Sequence, residues 1–419
     1  MMQRFAAGLV LALTCAAQTW ELAPEVLLLR RIKDHMTAQL DRLPNYTCLE
    51  TVARFRAPRE KPPKPQDVLK LEVVYSDGQE WYASPGDRSF TATHPSQFAG
   101  GGFTATGTFA LDLHNIFAAD AALCTWRGRE VRGGRPAVRY DFRLPRSLKA
   151  LAITVPGGQG TVGEAGSFWA DPETLDVFAL EIHAEDIPPF LPVAESVTRV
   201  AFARTRIAGR DALLPQTADL QLLSTNGNLN FDHADFTHCR AYQAQSVLHF
   251  GGASDSSVET PAHPPRTATD AVPAFLPVTV LLTSPITDRD AVGTLIRGTV
   301  AADVRHKGRV VLPRGSPVRG RIRVLERYDD RTWSVGLEFT EVEAQGVPLR
   351  FYAELTALDR SRQVRRRVSE KREVVSMEGT VVVTLPPLAG VASFFVSGKS
   401  FTLPAGFQTV WLTRGLLRQ

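Results

Sequence analysis

From Tyr46 onward, apolar side chains recur at every second position in short runs, and this period of two constrains the fold more than any other feature. Tyr46–Arg56, Leu69–Tyr75, Gln79–Tyr82, Ala137–Arg143, Gly166–Ala170, Val177–His183, Ser196–Ala203, Leu213–Leu222 and Gln245–Phe250 each place alternate residues on opposite faces of a strand. Ser76-Asp-Gly78, Gly133-Gly134 and Asp171-Pro-Glu-Thr174 supply turns between them, which is the pattern of an antiparallel meander. Ahead of the strands, Val26, Leu29, Ile32 or Lys33, Met36, Leu40 and Leu43 are spaced three and four apart. They predict one amphipathic helix that starts at Pro24 and stops before Pro44, with His35 at the boundary of its apolar stripe. One helix followed by many half-buried strands predicts a mainly β protein: a large curved antiparallel sheet, an open barrel, with the helix on a single face.

At 419 residues the chain is long enough for two cores. Residues 251–274, rich in Ser, Thr, Pro and Ala and without an apolar period, read as a flexible linker between a first domain over 20–250 and a second over 275–419. Strands in the second are short and tightly alternating. Val347, Leu349, Phe351, Ala353 and Leu355 share one face, as do Trp333, Val335, Leu337 and Phe339, which predicts a small closed β-barrel. In Lys307–Glu326 the same alternation puts Val318, Ile322 and Val324 inside, turns Arg319, Arg321 and Arg323 to water, and leaves Gly320 for a bend. The glycine-rich stretches Gly157–Gly166 and Ala99–Gly102 read as loops, since neither carries a Gly-Lys-Ser/Thr phosphate clamp.

The first 17 residues, with Arg4, an apolar stretch from Phe5 to Leu13 and small residues after it, have the layout of a signal peptide cleaved after Ala17; lipidation at Cys15 is the alternative. The expected location is the periplasm or outer cell envelope, with no transmembrane span in the mature chain. Export permits a disulfide among Cys48, Cys124 and Cys239. Cys48 and Cys239 are the expected pair, because both lie in strand-like segments at the two ends of the first domain.

Chemistry is sparse. Asn230–Arg240 contains Asp232, His233, Asp235, His238 and Cys239, the one place where a metal site or a hydrolase centre, using Asp232, His233 and His238, could be built. No zinc spacing is met, and no Gly-x-Ser-x-Gly elbow exists. No metal, cofactor or catalytic residue is expected. A net charge of +4 is small for this length, and 40 of the 48 basic residues are arginine, so nucleic acid is not an expected partner. The basic run 360–372, with Arg365, Arg366 and Arg367 at its centre, is the candidate for contact with an anionic surface.

Two resemblances add to this reading. The helix, the Asn45-Tyr-Thr-Cys48 strand entry, Ser167-Phe-Trp-Ala-Asp-Pro-Glu-Thr-Leu-Asp-Val-Phe-Ala-Leu-Glu-Ile182 and the ending Thr237-His-Cys-Arg-Ala-Tyr242 resemble the periplasmic lipoprotein-carrier (LolA-like) fold. That resemblance implies an unclosed barrel whose hydrophobic lining holds acyl chains. Ser284-Pro-Ile-Thr, Gly293–Val300, Gly308–Ser316 and Val318-Arg-Gly-Arg-Ile322 resemble the β-barrel of TrbI-type proteins of conjugation and type IV secretion channels. The chain departs from that family in showing no N-terminal transmembrane anchor and no long apolar pore helix. Together these imply a non-enzymatic envelope protein that binds a lipid or a lipidated partner and docks to an envelope complex; a structural or adhesive scaffold is the rival reading.

Overall fold

The alternating runs become strands. The computed structural model describes residues 22–58, 61–76, 79–87, 90, 95–98, 111–118, 122–146, 151–155, 158–242, 271–358, 364–366 and 391–415. The expected signal peptide, the strand at Gln245–Phe250, the Ala99–Gly102 loop and Arg367 lie outside the described residues.

Helix α1 spans Pro24–Asp41, with proline and Glu25 in its first turn, where a missing N–H costs nothing and the helix dipole favours an acid. Eleven strands follow: β1 (Tyr46–Ala57), β2 (Lys64–Ser76), β3 (Gln79–Ala83), β4 (Leu123–Arg132), β5 (Arg135–Leu144), β6 (Leu151–Val155), β7 (Gly158–Ala170), β8 (Val177–Glu185), β9 (Val193–Ile207), β10 (Arg210–Ser224) and β11 (Leu229–Ala241). They form one antiparallel sheet in the order β3-β2-β1-β11-β10-β9-β8-β7-β5-β4, with β6 attached to β7. The end strands β3 and β4 do not pair with each other, so the sheet curls without closing. α1 lies on its inner face and buries Ile32 and Met36 there.

Gly157–Gly166 departs from expectation: apart from its first residue it is the start of β7, and Val155 pairs with Gly158 across a tight hairpin. A side chain at Gly166 would overlap the Glu181 carbonyl of β8, so here glycine serves close strand approach rather than flexibility.

The second unit comprises β12 (Pro277–Leu282), β13 (Ile286–Thr287), β14 (Leu295–Val300), β15 (Val304–His306), β16 (Arg309–Leu312), β17 (Pro317–Asp329), β18 (Thr332–Ala344), β19 (Val347–Arg350), β20 (Ala353–Leu358), β21 (Val364–Arg366), β22 (Ala392–Ser397), β23 (Thr402–Leu403) and β24 (Gln408–Thr413). Its main sheet runs β20-β24-β12-β14-β17-β18-β22-β21, and the terminal strands β20 and β21 touch, which wraps the sheet into a barrel. Val278, Val280, Val318, Ile322, Val335, Leu337, Phe394 and Trp411 fill it. The indole N–H of Trp411 donates to Thr409 Oγ1 at 2.8 Å, so the largest core side chain leaves no polar atom unpaired.

The end of the expected linker is not loose chain. Val272 is buried and its N–H donates to Arg350 O at 3.0 Å, while Thr413 Oγ1 donates to Pro273 O at 2.7 Å, so residues 271–274 belong to the barrel.

The arginines of β17 also differ from expectation. Arg319 is exposed and pairs with Glu341 across the strands, but Arg321 is only 9% exposed and Arg323 is half-buried. Two register shifts, at Arg319/Gly320 and Ile322/Val324, break the simple alternation. After the second, Leu325 rather than Val324 takes the buried position. Loop residues of the first unit cover Arg321: its guanidinium donates to Pro85 O at 2.8 Å and to Asp87 at 2.5 Å, and within the barrel to Gly293 O at 3.0 Å. Beside it the chain at Val292 pairs in parallel with Leu69, on the half of β2 that β3 leaves uncovered. Lys70 N–H donates to Val292 O at 2.8 Å and Val292 N–H to Val68 O at 2.7 Å. Gly293 sits at φ +93°, where a Cβ would overlap the Lys70 carbonyl.

Candidate functional site

The inner face of the curved sheet is the candidate binding surface: among the described residues it is covered by α1 and a short helical segment rather than by a second sheet. Its aromatic end is built on β4, β5 and β7. Trp126 packs edge-on to Tyr140 at 5.0 Å, Tyr140 stacks on Phe168 at 5.4 Å, and Phe168 meets Phe117 edge-on at 5.1 Å. Phe117 belongs to a short helix, Leu111–Leu113, that runs into a wider π turn, His114–Ala118. This 111–118 segment plugs the curl together with α1, and the two are tied by Thr37 Oγ1 donating to Phe117 O at 3.4 Å. Tyr140 OH donates to Glu25 O at 2.6 Å, fixing the start of α1 over the same wall.

The Trp-Ala-Asp-Pro-Glu-Thr hairpin positions this end. Alternation sends Phe168 inward and Trp169 outward, where Arg132 lies 3.5 Å over the indole and the Trp169 N–H donates to Glu130 at 2.5 Å. Asp171 Oδ1 accepts the N–H groups of Glu173 at 2.9 Å and Thr174 at 3.1 Å, closing the turn; those bonds, with Arg135, hold its carboxyl below the usual carboxylate range against the opposing effect of burial. The turn delivers Asp176 to α1. Arg204 grips both oxygens of Asp176, at 2.7 and 2.8 Å, and His35 Nε2 lies 2.9 Å from Oδ1. His35, a boundary residue by its helical spacing, is therefore one of the pins that hold the helix on the sheet.

The other end of the inner face is acidic. Along β1, Tyr46, Cys48, Glu50, Val52 and Arg54 share the buried parity. Arg54 lies between Asp67 of β2 and Asp232 of β11 in the strand register, and its Nε donates to Asp67 Oδ1 at 2.6 Å. Burial, partly countered by the charge of Arg54, pushes Asp232 up to about 7. Glu50 is 6% exposed and its Oε2 has no hydrogen-bond partner; burial first, and then the charges of Glu80 and Asp232, push it up to about 8. Tyr82 OH donates to Glu80 at 2.8 Å. Asp112 of the plug is held well above its ordinary value by burial and then by Glu164 of β7 and Glu80 of β3. Since β3 and β7 stand far apart in the sheet order, their common influence on Asp112 reflects the curl bringing opposite walls face to face. The alternation that makes Tyr46, Cys48 and Val52 inward also makes Glu50 and Arg54 inward, and that parity was the signal by which sequence could have found them.

The sequence-selected residues fall in different places. Cys48 and Cys239 are bonded, S–S 1.99 Å, joining β1 to β11 on the inner side. His238 adopts φ +53° in the irregularity between Thr47 and Leu49 of the register, which turns Cys239 toward its partner. Cys124, half-buried on β4, is outside that disulfide, and its thiol donates to Ala122 O at 3.6 Å. Asp232, His233 and His238 do not converge: Asp232 faces Arg54 inside, His233 lies outside against Asp219 at 2.6 Å and Asp235 at 3.6 Å, and His238 is exposed beside Thr237. Among the described residues no group of histidine, cysteine and carboxylate side chains is arranged to hold a metal. The backbone at Arg365 and Arg366 pairs with Phe395 and Phe394 of β22, and Arg367 falls outside the described residues.

No family model and no curated protein matches the chain. Among solved structures, an outer-membrane lipoprotein-sorting protein domain from Vibrio parahaemolyticus is similar at 9% identity, over 52% of this chain and 93% of its own, with a TM-score of 0.29. A LolA superfamily protein from Nitrosomonas europaea is similar at 10% identity, over 52% of this chain and 94% of its own, with a TM-score of 0.28. ComB10 of the Com type IV secretion system of Helicobacter pylori is similar at 12% identity, over 34% of this chain and 86% of its own, with a TM-score of 0.19.

Proposed function

We propose that this chain is an exported cell-envelope binding protein that holds an apolar ligand, or the acyl chain of a lipidated partner, on the inner face of its curved sheet and catalyses no reaction. The observation that carries this is the aromatic wall of Trp126, Tyr140 and Phe168, covered among the described residues by α1 and the 111–118 plug, in a sheet whose end strands β3 and β4 do not pair with each other. An acyl chain replacing Phe117 against Phe168 exchanges one apolar contact for another, so its insertion needs little beyond displacement of the plug. The barrel, docked along β2, is the element that engages other envelope components, and the basic run containing Arg365, Arg366 and Arg367 is its contact for an anionic surface.

Native mass spectrometry of the full chain, purified from its own host and compared before and after delipidation, tests the proposal. A co-purifying lipid or acylated peptide, lost on delipidation and regained on incubation with lipid, is expected; a protein that neither carries nor takes up any acyl chain contradicts it.

A further inference from the structure

An apolar carrier should be lined with apolar groups throughout, and this one is not. Five carboxylates from five elements face its interior: Glu50 of β1, Glu80 of β3, Asp112 of the plug, Glu164 of β7 and Asp232 of β11. All five are buried. Burying a carboxylate without a compensating partner is costly, so a chamber that only had to accept hydrocarbon would be better lined with leucine. The base within reach is already committed: Arg54 is gripped by Asp67. Glu50 is the clearest anomaly, since it sits on the inner parity of β1, is more than nine-tenths buried, and leaves Oε2 without a partner. Its neighbours Glu80 and Asp232 are themselves acids, and Tyr82 directs its hydroxyl to Glu80 rather than to Glu50. The interior therefore has two chemically distinct ends, aromatic at Phe117, Tyr140 and Phe168 and acidic at Glu50 and Glu80.

We infer that the ligand is an amphiphile with a cationic polar end, an aliphatic chain bearing an ammonium group, whose charge is received by Glu50 with Glu80 beside it while the chain lies against Phe168 and Tyr140. The inference deepens the carrier reading and rests on it. The ammonium supplies a positive charge to a cluster of buried carboxylates in a site of low dielectric. A cation beside Glu50 favours the ionised carboxylate, so pairing with the ligand releases the Glu50 proton to solvent. An anionic head in the same place would meet like charge.

Three probes of one chain length separate the possibilities, each titrated into the full chain below its micelle concentration by calorimetry at neutral pH: dodecyltrimethylammonium, dodecylphosphocholine and dodecanoate. The ammonium probe is expected to bind tighter than dodecanoate by about tenfold or more. Glu50→Gln is expected to erase most of that preference while leaving dodecanoate affinity unchanged or improved. If dodecylphosphocholine matches the ammonium probe, the natural source is a phospholipid head group; if it binds weakly, the source is a free amine amphiphile, and both results support a cationic end. Dodecanoate binding as tightly as the ammonium probe would overturn the inference and leave the carrier reading intact. Failure of all three to bind would overturn both. Because the ranking is made on the unmodified protein, it stands even if the Glu50→Gln variant does not fold.

Discussion

Val292 of the barrel lies in parallel beside Leu69 of the curved sheet, and two main-chain hydrogen bonds of 2.7 and 2.8 Å join the strands there. The two units therefore share backbone pairing, and Arg321 closes the junction through Pro85, Asp87 and Gly293.

The junction makes a specific prediction. Gly293→Val places a branched side chain at φ +93° and against the Lys70 carbonyl, which should cost about 1–3 kcal/mol and undock the barrel. Small-angle scattering should show a larger radius of gyration for the variant, and calorimetry two melting transitions in place of one. An unchanged scattering curve would mean that the units are not held at this contact. Arg321→Ala, which removes three hydrogen bonds at once, should act in the same direction.

Stability should depend on pH through the buried acids. Glu50 is raised from an ordinary 4.5 to about 8 and Asp232 from 3.8 to about 7, so the folded state binds these protons more tightly than the unfolded chain. Their contribution is fully present below the unfolded values and is lost as pH rises toward 7 and 8. Asp141, Asp171 and Glu181, held low by their arginine and hydrogen-bond partners against burial, act oppositely and lose their contribution as pH falls below about 4. Thermal melts across pH 3–9 should thus peak in the mildly acidic range, and Glu50→Gln should flatten the decline on the alkaline side. A melting temperature rising steadily from pH 5 to pH 8 would be the opposite result.

The pin between α1 and the sheet should be separable from the barrel. Asp176→Asn removes the charge that Arg204 grips and His35 approaches, and should cost about 1.5–3 kcal/mol. Hydrogen exchange should then quicken in Pro24–Asp41 and in the 111–118 plug, with the barrel strands unaffected. Exchange that quickens everywhere equally would show that Asp176 supports the fold as a whole rather than the helical cover of the inner face.

Cys48 and Cys239 close a loop across 191 positions of sequence, so reduction should cost about 2–5 kcal/mol. Peptide mapping without reductant should recover the Cys48–Cys239 cross-link and an alkylatable Cys124. Alkylation of all three of Cys48, Cys124 and Cys239 without reductant would contradict the pairing.

Three-and-four spacing was enough to predict the helix, and alternation a run of strands curling into an open and then a closed β structure, because burial of one strand face leaves a period-two trace whatever the partner strand is. What escaped it were events that depend on a partner. The bulges of β17 change which side chains face in, and Arg321 is buried by a loop more than two hundred positions earlier in the chain. The glycines of β7 looked like a loop, though at Gly166 glycine is needed only because β8 passes so close. The acidic end was visible in the parity of Glu50 and Arg54, yet its meaning required knowing that β3 and β7, remote in the sheet, face one another across Asp112.

The central claim, that the inner face receives an acyl chain beneath α1 and the plug, is tested most directly by photo-crosslinking the full chain with a diazirine-bearing fatty acyl probe and mapping the adducts. Adducts on Phe117, Tyr140, Phe168 and Met36, competed away by unlabelled lipid, are the predicted result. Adducts confined to exposed apolar residues such as Phe190, Phe275 and Val131, with none on the inner face, would contradict it.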